Sequence, residues 1–188
     1  MSGFRVAFGG AVERFGVEPD LLTYGKVIGG GLPVGAVAGR QTLMELLAPV
    51  GPVYQAGTLA GNPVAVSAGL AALQCLKELN PYPEFERRAE RWASGVSAAA
   101  QQAGVPCVAY HCGSMLGIFL CEGPIRGYQD LQRGNLEMFK KLFHALLRRG
   151  VYIAPSAFEA GFLSAAHSDD DIEETIAAFR SAFVEILD

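Results

Sequence analysis

The chain has 188 residues, of which 51% are hydrophobic and 18% are charged, and its formal net charge at pH 7 is −4. A chain of this length can bury one or two hydrophobic cores, and an acidic chain without a basic stripe is not expected to bind nucleic acid. A membrane span is not expected either, because prolines and glycines repeatedly interrupt the uncharged residues 46–76.

The first predicted region runs to residue 79 and combines glycine-containing turns, short strands and one buried helix. Residues 34–38 are a candidate strand. Asn62 followed by Pro63 predicts a helix start, because asparagine caps well and proline fits the first helical position. The helical residues 64–76 are apolar on nearly all faces, so we expect this helix to be buried.

The second predicted region follows the sequence Asn-Pro-Tyr-Pro at residues 80–83, which interrupts the preceding pattern. Helices then combine with a few short strands, which is typical of an α+β domain. We therefore predict two domains, residues 1–79 and residues 80–188. The elements predicted for the second domain are a helix at 83–104, two strands within 105–121, a helix at 136–149, a strand at 151–154, and a helix at 170–187 that is capped by Ser168.

The four cysteines, Cys75, Cys107, Cys112 and Cys121, show neither C-x-x-C spacing nor a paired histidine pattern. Reduced, mostly buried thiols are the simplest interpretation, and they are typical of cytoplasmic proteins. The first residues do not show the basic and apolar pattern of a signal peptide. We therefore predict no metal ligands and a cytoplasmic location.

Residues 22–36 place one lysine, Lys26, between an apolar run and three consecutive glycines. Because Val27 and Ile28 follow it directly, we expect Lys26 to be poorly solvated, which favours the neutral, nucleophilic amine. The glycines at 29–31 allow the backbone to approach a flat bound group closely. This combination suits covalent attachment of pyridoxal 5'-phosphate (PLP), although a solvated lysine beside an ordinary loop gives the same pattern.

A Gly-Thr step, Gly57 and Thr58, stands just before the helix start at Asn62. Its hydroxyl and backbone amides are the donors that a phosphate group requires. An ordinary turn that leads into a capped helix is the alternative interpretation.

Three separated segments agree in order and spacing with one protein family. Residues 19–40, residues 57–63 (GTLAGNP) and residues 154–168, beginning APSAFEAGFLS, resemble the class III, fold type I PLP-dependent aminotransferases. The third segment resembles in particular the glutamate-1-semialdehyde 2,1-aminomutases of that family. The resemblance extends over the whole chain.

The resemblance implies roles for four residues. Lys26 falls where the family attaches PLP and where the released amine moves protons between substrate carbons. Gly57 and Thr58 fall where the family binds the PLP phosphate of the neighbouring subunit, which implies a homodimer with shared active sites. Glu159 falls where the aminomutases have a glutamate and related transaminases place an arginine for the α-carboxylate. Its negative charge would exclude ordinary α-amino acids, whereas a solvated or structurally paired acid is the alternative.

The resemblance also implies an α/β PLP-dependent transferase fold (fold type I) that is only partial. Residues 1–79 correspond to a remnant of the large PLP-binding domain, and residues 80–188 to the small α+β carboxyl-terminal domain. The missing amino-terminal half would carry the aspartate that pairs with the pyridinium nitrogen. Without it, we expect apolar surface around Phe4, Val6 and residues 64–76 to be exposed, so that the chain associates or pairs with that half.

The function implied by the resemblance is the isomerisation of glutamate-1-semialdehyde to 5-aminolevulinate for tetrapyrrole (porphyrin) biosynthesis, by the intact enzyme. The chain alone is expected to be inactive. One alternative is a class III aminotransferase that acts on a terminal amine and shares Lys26 and Thr58. The other is a noncatalytic fragment that folds only against its missing half.

Overall fold

A computed structural model describes residues 2–187, so the outer ends of the two predicted domains, residues 1 and 188, lie outside the described residues. The described chain divides into two units between Tyr82 and Pro83. The domain boundary proposed from the sequence, between residues 79 and 80, stays a prediction for the intact protein.

The first unit contains α1 (Ala11–Phe15), β1 (Leu21–Tyr24), a 3₁₀ helix (Lys26–Gly29), β2 (Ala36–Gly39), α2 (Gln41–Met44) and α3 (Pro63–Leu79). The remaining elements are α4 (Tyr82–Ala103), β3 (Val108–Cys112), β4 (Met115–Phe119), α5 (Tyr128–Leu131), α6 (Leu136–Leu147), β5 (Gly161–Phe162) and α7 (Asp169–Glu185).

A small antiparallel sheet and an aromatic cluster organise the start of the first unit. β1 pairs with β2, and Tyr24 lies opposite Ala36 at the end that leads to the 3₁₀ helix. The ring of Phe4 packs against Tyr24 at 5.6 Å between centroids and against Phe8 at 5.4 Å. Val6 is only 4% exposed. The prediction of exposed apolar surface is therefore wrong for Val6, which is buried, and Phe4 is half-buried within this aromatic cluster.

Helix α3 begins as the sequence predicts but is not buried. Asn62 Oδ1 accepts a hydrogen bond of 2.9 Å from the backbone N–H of Ala65, and proline occupies the first helical position. Only two of the helical residues, Ala65 and Gly69, are buried. Val64 and Leu70 remain 71% and 57% exposed. The prediction of a buried helix is wrong for this chain, because the neighbouring 3₁₀ helix covers only one stripe of α3. The exposure expected for residues 64–76 without the amino-terminal half is confirmed.

The core of the second unit forms where α4, α6 and α7 meet. The indole of Trp92 on α4 contacts the ring of Phe179 on α7 edge to face, with 5.8 Å between centroids. The helices predicted at 83–104, 136–149 and 170–187 are confirmed within a few residues at each end. The large side chains that are fully buried in this core are those of Val96, Leu142, Leu146, Ile176, Phe179 and Phe183.

A three-stranded antiparallel sheet of order β3-β4-β5 packs against these helices. The two predicted strands within 105–121 are confirmed, and they are joined by a tight turn in which Gly113 has a positive φ of 57°. The strand predicted at 151–154 is wrong, since no described strand pairs with this segment. Val151 instead donates its N–H to Leu146 O at 3.0 Å, which closes the end of α6.

Charged side chains join the first turn of α7 to α4. Asp169 Oδ1 accepts hydrogen bonds from Arg88 Nε at 2.7 Å and from an Arg87 guanidinium nitrogen at 2.5 Å. The hydrogen bonds from Arg88 and Arg87 hold the pKa of Asp169 below its ordinary value of 3.8. Ser168 caps α7 and shares reciprocal hydrogen bonds with Asp171, as its sequence predicts.

The cysteines are less buried than the sequence suggests. Cys121 is buried and Cys107 is half-buried, and burial raises the pKa of the Cys107 thiol to about 12. Cys75 is exposed, because it lies on an uncovered face of α3. Within residues 2–187, no cluster of three or more potential metal ligands is present. None of the described helices is long and apolar enough to span a membrane.

Candidate active site

The backbone around Lys26 takes an unusual conformation. Lys26 follows β1 after a single glycine and begins the 3₁₀ helix Lys26–Gly29, which we call the lysine turn. Its φ is 59°, in the left-handed region that side-chain-bearing residues seldom adopt. Gly30 ends the turn with a φ of 57° and donates its N–H to Val27 O at 3.0 Å. Strained residues of this kind cluster at functional sites, which fits the chemical role predicted for Lys26.

The side chain of Lys26 is exposed. The prediction that it is poorly solvated is therefore wrong for this chain. Lys26 has a left-handed backbone with a φ of 59°, so its side chain does not follow the helical arrangement of the residues after it. Val27 and Ile28 are half-buried while Lys26 points to another side. The structure thus presents an accessible primary amine next to glycine-rich backbone.

Gly57 and Thr58 form an exposed turn that leads into α3. Ala60 donates its N–H to Gly57 O at 3.0 Å, and Gly61, with a φ of 71°, turns the chain towards the cap at Asn62. Among residues 2–187, the hydroxyl of Thr58 has no hydrogen-bond partner. A hydroxyl and backbone amides next to a helix amino terminus are well suited to hold a phosphate group.

Glu159 lies in the second unit, in the irregular segment that precedes β5, and it is exposed. Its backbone N–H is held by Ser156 O at 3.3 Å. Glu159 lines a cavity of about 750 Å³ that is also lined by the buried side chains of Trp92, Phe139 and Phe179. The carboxylate has no ion-pair partner among the described residues, so a structurally paired acid is not supported within this chain, whereas the exposure of the side chain fits the alternative of a solvated acid.

His167 also lines this cavity, and the sequence reasoning missed it. Its ring Nδ1 accepts a hydrogen bond of 3.1 Å from the backbone N–H of Ser164, and Ser164 Oγ lies 3.2 Å from the same atom. The available sequence signal was the three-residue spacing of Ser164 and His167 just before the helix cap at Ser168, which allows the two residues to hydrogen-bond each other.

Lys26 and the Gly57–Thr58 turn are linked through one element. The lysine turn packs on the middle of α3, and the Gly57–Thr58 turn leads into the amino terminus of the same helix. Glu159 belongs to the other unit. The first unit therefore brings two of the three predicted functions, covalent attachment and phosphate binding, onto one helical support.

Comparison with known proteins identifies the family. The sequence model of the aminotransferase class-III family matches residues 5–183. The chain belongs to the class-III aminotransferase family. The resemblance inferred from residues 19–40, 57–63 and 154–168 is therefore confirmed.

Among curated proteins, the chain is 49% identical over 187 residues to a glutamate-1-semialdehyde 2,1-aminomutase of Persephonella marina. The match covers 100% of this chain and 44% of that relative, so the chain spans less than half of the relative's length.

Solved structures of class-III aminotransferases share the fold. An omega-transaminase from Sphaerobacter thermophilus matches with a TM-score of 0.82 and 31% identity, over 98% of this chain and 43% of that one. A transaminase with PLP bound matches with a TM-score of 0.83 and 28% identity, over 98% of this chain and 42% of that one. The predicted partial fold type I architecture is thus confirmed.

Proposed function

We propose that this chain supplies the lysine-bearing part of a PLP-dependent aminomutase that converts glutamate-1-semialdehyde to 5-aminolevulinate in tetrapyrrole (porphyrin) biosynthesis. The observation that carries the proposal is the 49% identity to a curated aminomutase along the entire chain. The exposed carboxylate of Glu159 on a cavity wall supports the same choice.

The residues present fit PLP. The amine of Lys26 is accessible, and a Cβ added at Gly31 would meet nothing within 4 Å, so there is open space beside the lysine turn. Lys26 would bind the cofactor covalently, and the Gly57 amide with the Thr58 hydroxyl would hold the phosphate of the neighbouring subunit's PLP in a homodimer. When bound, PLP supplies the electron sink that stabilises negative charge on a substrate carbon.

Lys26 would move protons during the reaction. The isomerisation exchanges an amino group and a carbonyl oxygen between adjacent carbons of one molecule, so there is no net oxidation or reduction. One proton must leave one carbon and another must be delivered to its neighbour. The amine of Lys26 can accept and return these protons because an amine acts as base and acid in turn. The backbone of the lysine turn fixes the point from which this side chain reaches the two carbons.

Glu159 would determine which substrates are excluded. A carboxylate repels the α-carboxylate of common amino acids, and this repulsion selects against them without a new attractive contact. Its place beside a cavity, rather than in a salt bridge among the described residues, leaves the charge available for this role.

The first experiment tests where PLP binds. The chain has four lysines, Lys26, Lys77, Lys140 and Lys141. In the intact protein, incubation with PLP, borohydride reduction and peptide mass mapping should place the pyridoxyl group on Lys26. The other three lysines are internal controls in the same sample. A label spread evenly over all four, or concentrated on another lysine, would contradict the assignment.

An aminotransferase that acts on a terminal amine is the second candidate, because the omega-transaminase match covers 98% of this chain. Such an enzyme would use Lys26 and Thr58 in the same way. The two functions differ in whether a second amino acceptor is needed. The intact protein should form 5-aminolevulinate from the semialdehyde without an added keto acid, and an absolute requirement for a keto acid would favour the aminotransferase.

We also propose that these residues alone are inactive and that the intact protein is cytoplasmic. The inactivity is supported by the exposure of Lys26, Thr58 and much of α3, which leaves the site open to water. Activity should appear when the amino-terminal part of the intact protein is supplied, in one polypeptide or by mixing. Formation of 5-aminolevulinate by the purified chain alone would contradict the proposal. If mixing slows hydrogen exchange of the α3 amides but does not produce activity, the result supports the alternative of a noncatalytic fragment.

A further inference from the structure

The lysine turn and α3 contact each other through backbone atoms without intervening side chains. A Cβ added at Gly69 of α3 would lie 2.3 Å from the carbonyl oxygen of Ile28. On the other side of the contact, a Cβ added at Gly30 would lie 2.6 Å from the carbonyl oxygen of Ala68. Both distances are too short for a real contact, so any side chain at either glycine must push the two backbones apart.

We propose that Gly69 and Gly30 are positioning residues that set the location of the Lys26 amine. The turn itself is a single 3₁₀ turn, and the hydrogen bonds that close its far end are local, from Gly30 N–H to Val27 O and from Leu32 N–H to Gly29 O, each at 3.0 Å. Because Lys26 is exposed, its side chain does not anchor the turn. The close approach to α3 is therefore the main tertiary support for the backbone that carries the amine.

The size of the expected displacement follows from the geometry. Restoring an ordinary contact of 3.4 Å in place of 2.3 Å requires the turn to move by about 1 Å. A misplacement of about 1 Å at a reacting group can cost on the order of 100-fold in rate. The importance of this shift for catalysis rests on the proposed function, whereas the contact itself does not depend on it.

Helix α3 also begins directly after the Gly57–Thr58 turn, through the cap at Asn62. A single helix thus supports both the lysine turn and the turn proposed to hold phosphate. The two glycines fix the lysine turn to this common support, while the Asn62 cap fixes the other turn. Substitution of either glycine should disturb the lysine turn and leave the start of α3 intact.

The first test changes the helix side of the contact. Gly69→Ala adds one Cβ and also raises helix propensity, so a loss of order in the turn cannot come from a weaker helix. The matched control is Ala71→Gly, which weakens the helix on an exposed face and adds no atom. Residue-level hydrogen exchange should show about tenfold faster exchange at Gly30 and Leu32 in Gly69→Ala than in the unchanged chain. In Ala71→Gly, faster exchange should be confined to α3.

The second test changes the turn side and keeps the backbone preference matched. Asparagine is the side-chain-bearing residue that best tolerates positive φ, so Gly30→Asn adds mainly the collision with Ala68. Gly16→Asn is the control, because Gly16 has a φ of 61° against 57° for Gly30 and a Cβ there meets nothing within 4 Å. If Gly69→Ala speeds hydrogen exchange throughout the first unit, the comparison of Gly30→Asn with Gly16→Asn decides whether the contact positions the lysine turn.

Labelling with PLP and borohydride tests whether the contact between the lysine turn and α3 affects the reactivity of the Lys26 amine. Gly69→Ala and Gly30→Asn should lower the share of pyridoxyl label on Lys26 relative to Lys77, and the two controls should not. Exchange at Gly30 and Leu32 that is unchanged in both test variants would overturn the positioning role. An unlabelled Lys26 in the intact protein would instead contradict the proposed function, while the exchange data would still decide the contact.

Discussion

The left-handed backbone at Lys26 predicts that this residue lowers the stability of the first unit. A lysine at a φ of 59° carries a steric cost between its Cβ and the following carbonyl group, and glycine does not. Lys26→Gly should therefore stabilise the first unit relative to Lys26→Ala, although both substitutions remove the amine. Lys26→Ala should be close to the unchanged chain, because alanine keeps the Cβ and the lysine side chain is exposed.

The magnitude follows from two opposing terms. The left-handed conformation costs a side-chain-bearing residue about 1–2 kcal/mol. Glycine loses about 0.5–1 kcal/mol more conformational entropy on folding than alanine does. The net advantage of Lys26→Gly over Lys26→Ala is thus about 0.5–1 kcal/mol in the free energy of unfolding of the first unit.

The assay must report on the first unit alone. The single tryptophan, Trp92, lies in the second unit, so its fluorescence during urea unfolding is a control that both variants should leave unchanged. Native-state hydrogen exchange of the α3 amides reports on the first unit, because α3 packs on the lysine turn. If Lys26→Ala protects these amides as well as Lys26→Gly does, the backbone of Lys26 is not strained and the reasoning fails.

Three further substitutions test other parts of the structure. Glu159→Gln in the intact enzyme should let alanine or glutamate convert the PLP form to the pyridoxamine form faster, as followed by absorbance, and unchanged rates would leave Glu159 without a role in selectivity. Asn62→Ala removes the acceptor for the Ala65 N–H and should cost α3 about 1 kcal/mol, seen as faster exchange in its first turn with α7 unaffected. Because hydrogen bonds lower the pKa of Asp169 in the folded state, its contribution to stability is complete above its ordinary pKa of 3.8 and is lost as the pH falls below that value. Asp169→Asn should therefore reduce stability at neutral pH and flatten the decline below about pH 4, whereas a parallel decline in both proteins would contradict the ion-pair explanation.

Helix boundaries were predictable wherever local chemistry determines them. The Asn62-Pro63 pair marks the start of α3, and Ser168 with Asp171 forms the capping box of α7. Both signals act within one turn of the helix, so they do not depend on distant parts of the chain. The two-residue connection between β3 and β4 was predictable for the same reason, since Gly113 supplies the positive φ that the turn needs.

Burial and strand pairing were less predictable, because both depend on which elements lie nearby. The apolar sequence of α3 indicates that the helix prefers burial, but only one stripe of it is covered in this chain. Residues 151–154 have the composition of a strand and lack a described partner. The exposure of Lys26 was missed because apolar neighbours in sequence do not cover a side chain whose backbone is left-handed. Its positive φ had no sequence signal, since lysine seldom adopts that conformation.

The uncovered faces of α3 bear directly on the proposed chemistry. A helix that is apolar all round is stable only when other elements cover it, and Val64, Leu70 and Leu79 remain 71%, 57% and 73% exposed here. Large exposed apolar side chains concentrated on one helix indicate an interface. Because α3 supports the lysine turn through Gly69, whatever covers its other faces in the intact protein also helps to fix the Lys26 amine. We therefore expect restoration of activity by the amino-terminal part to be accompanied by slower hydrogen exchange in both α3 and the lysine turn.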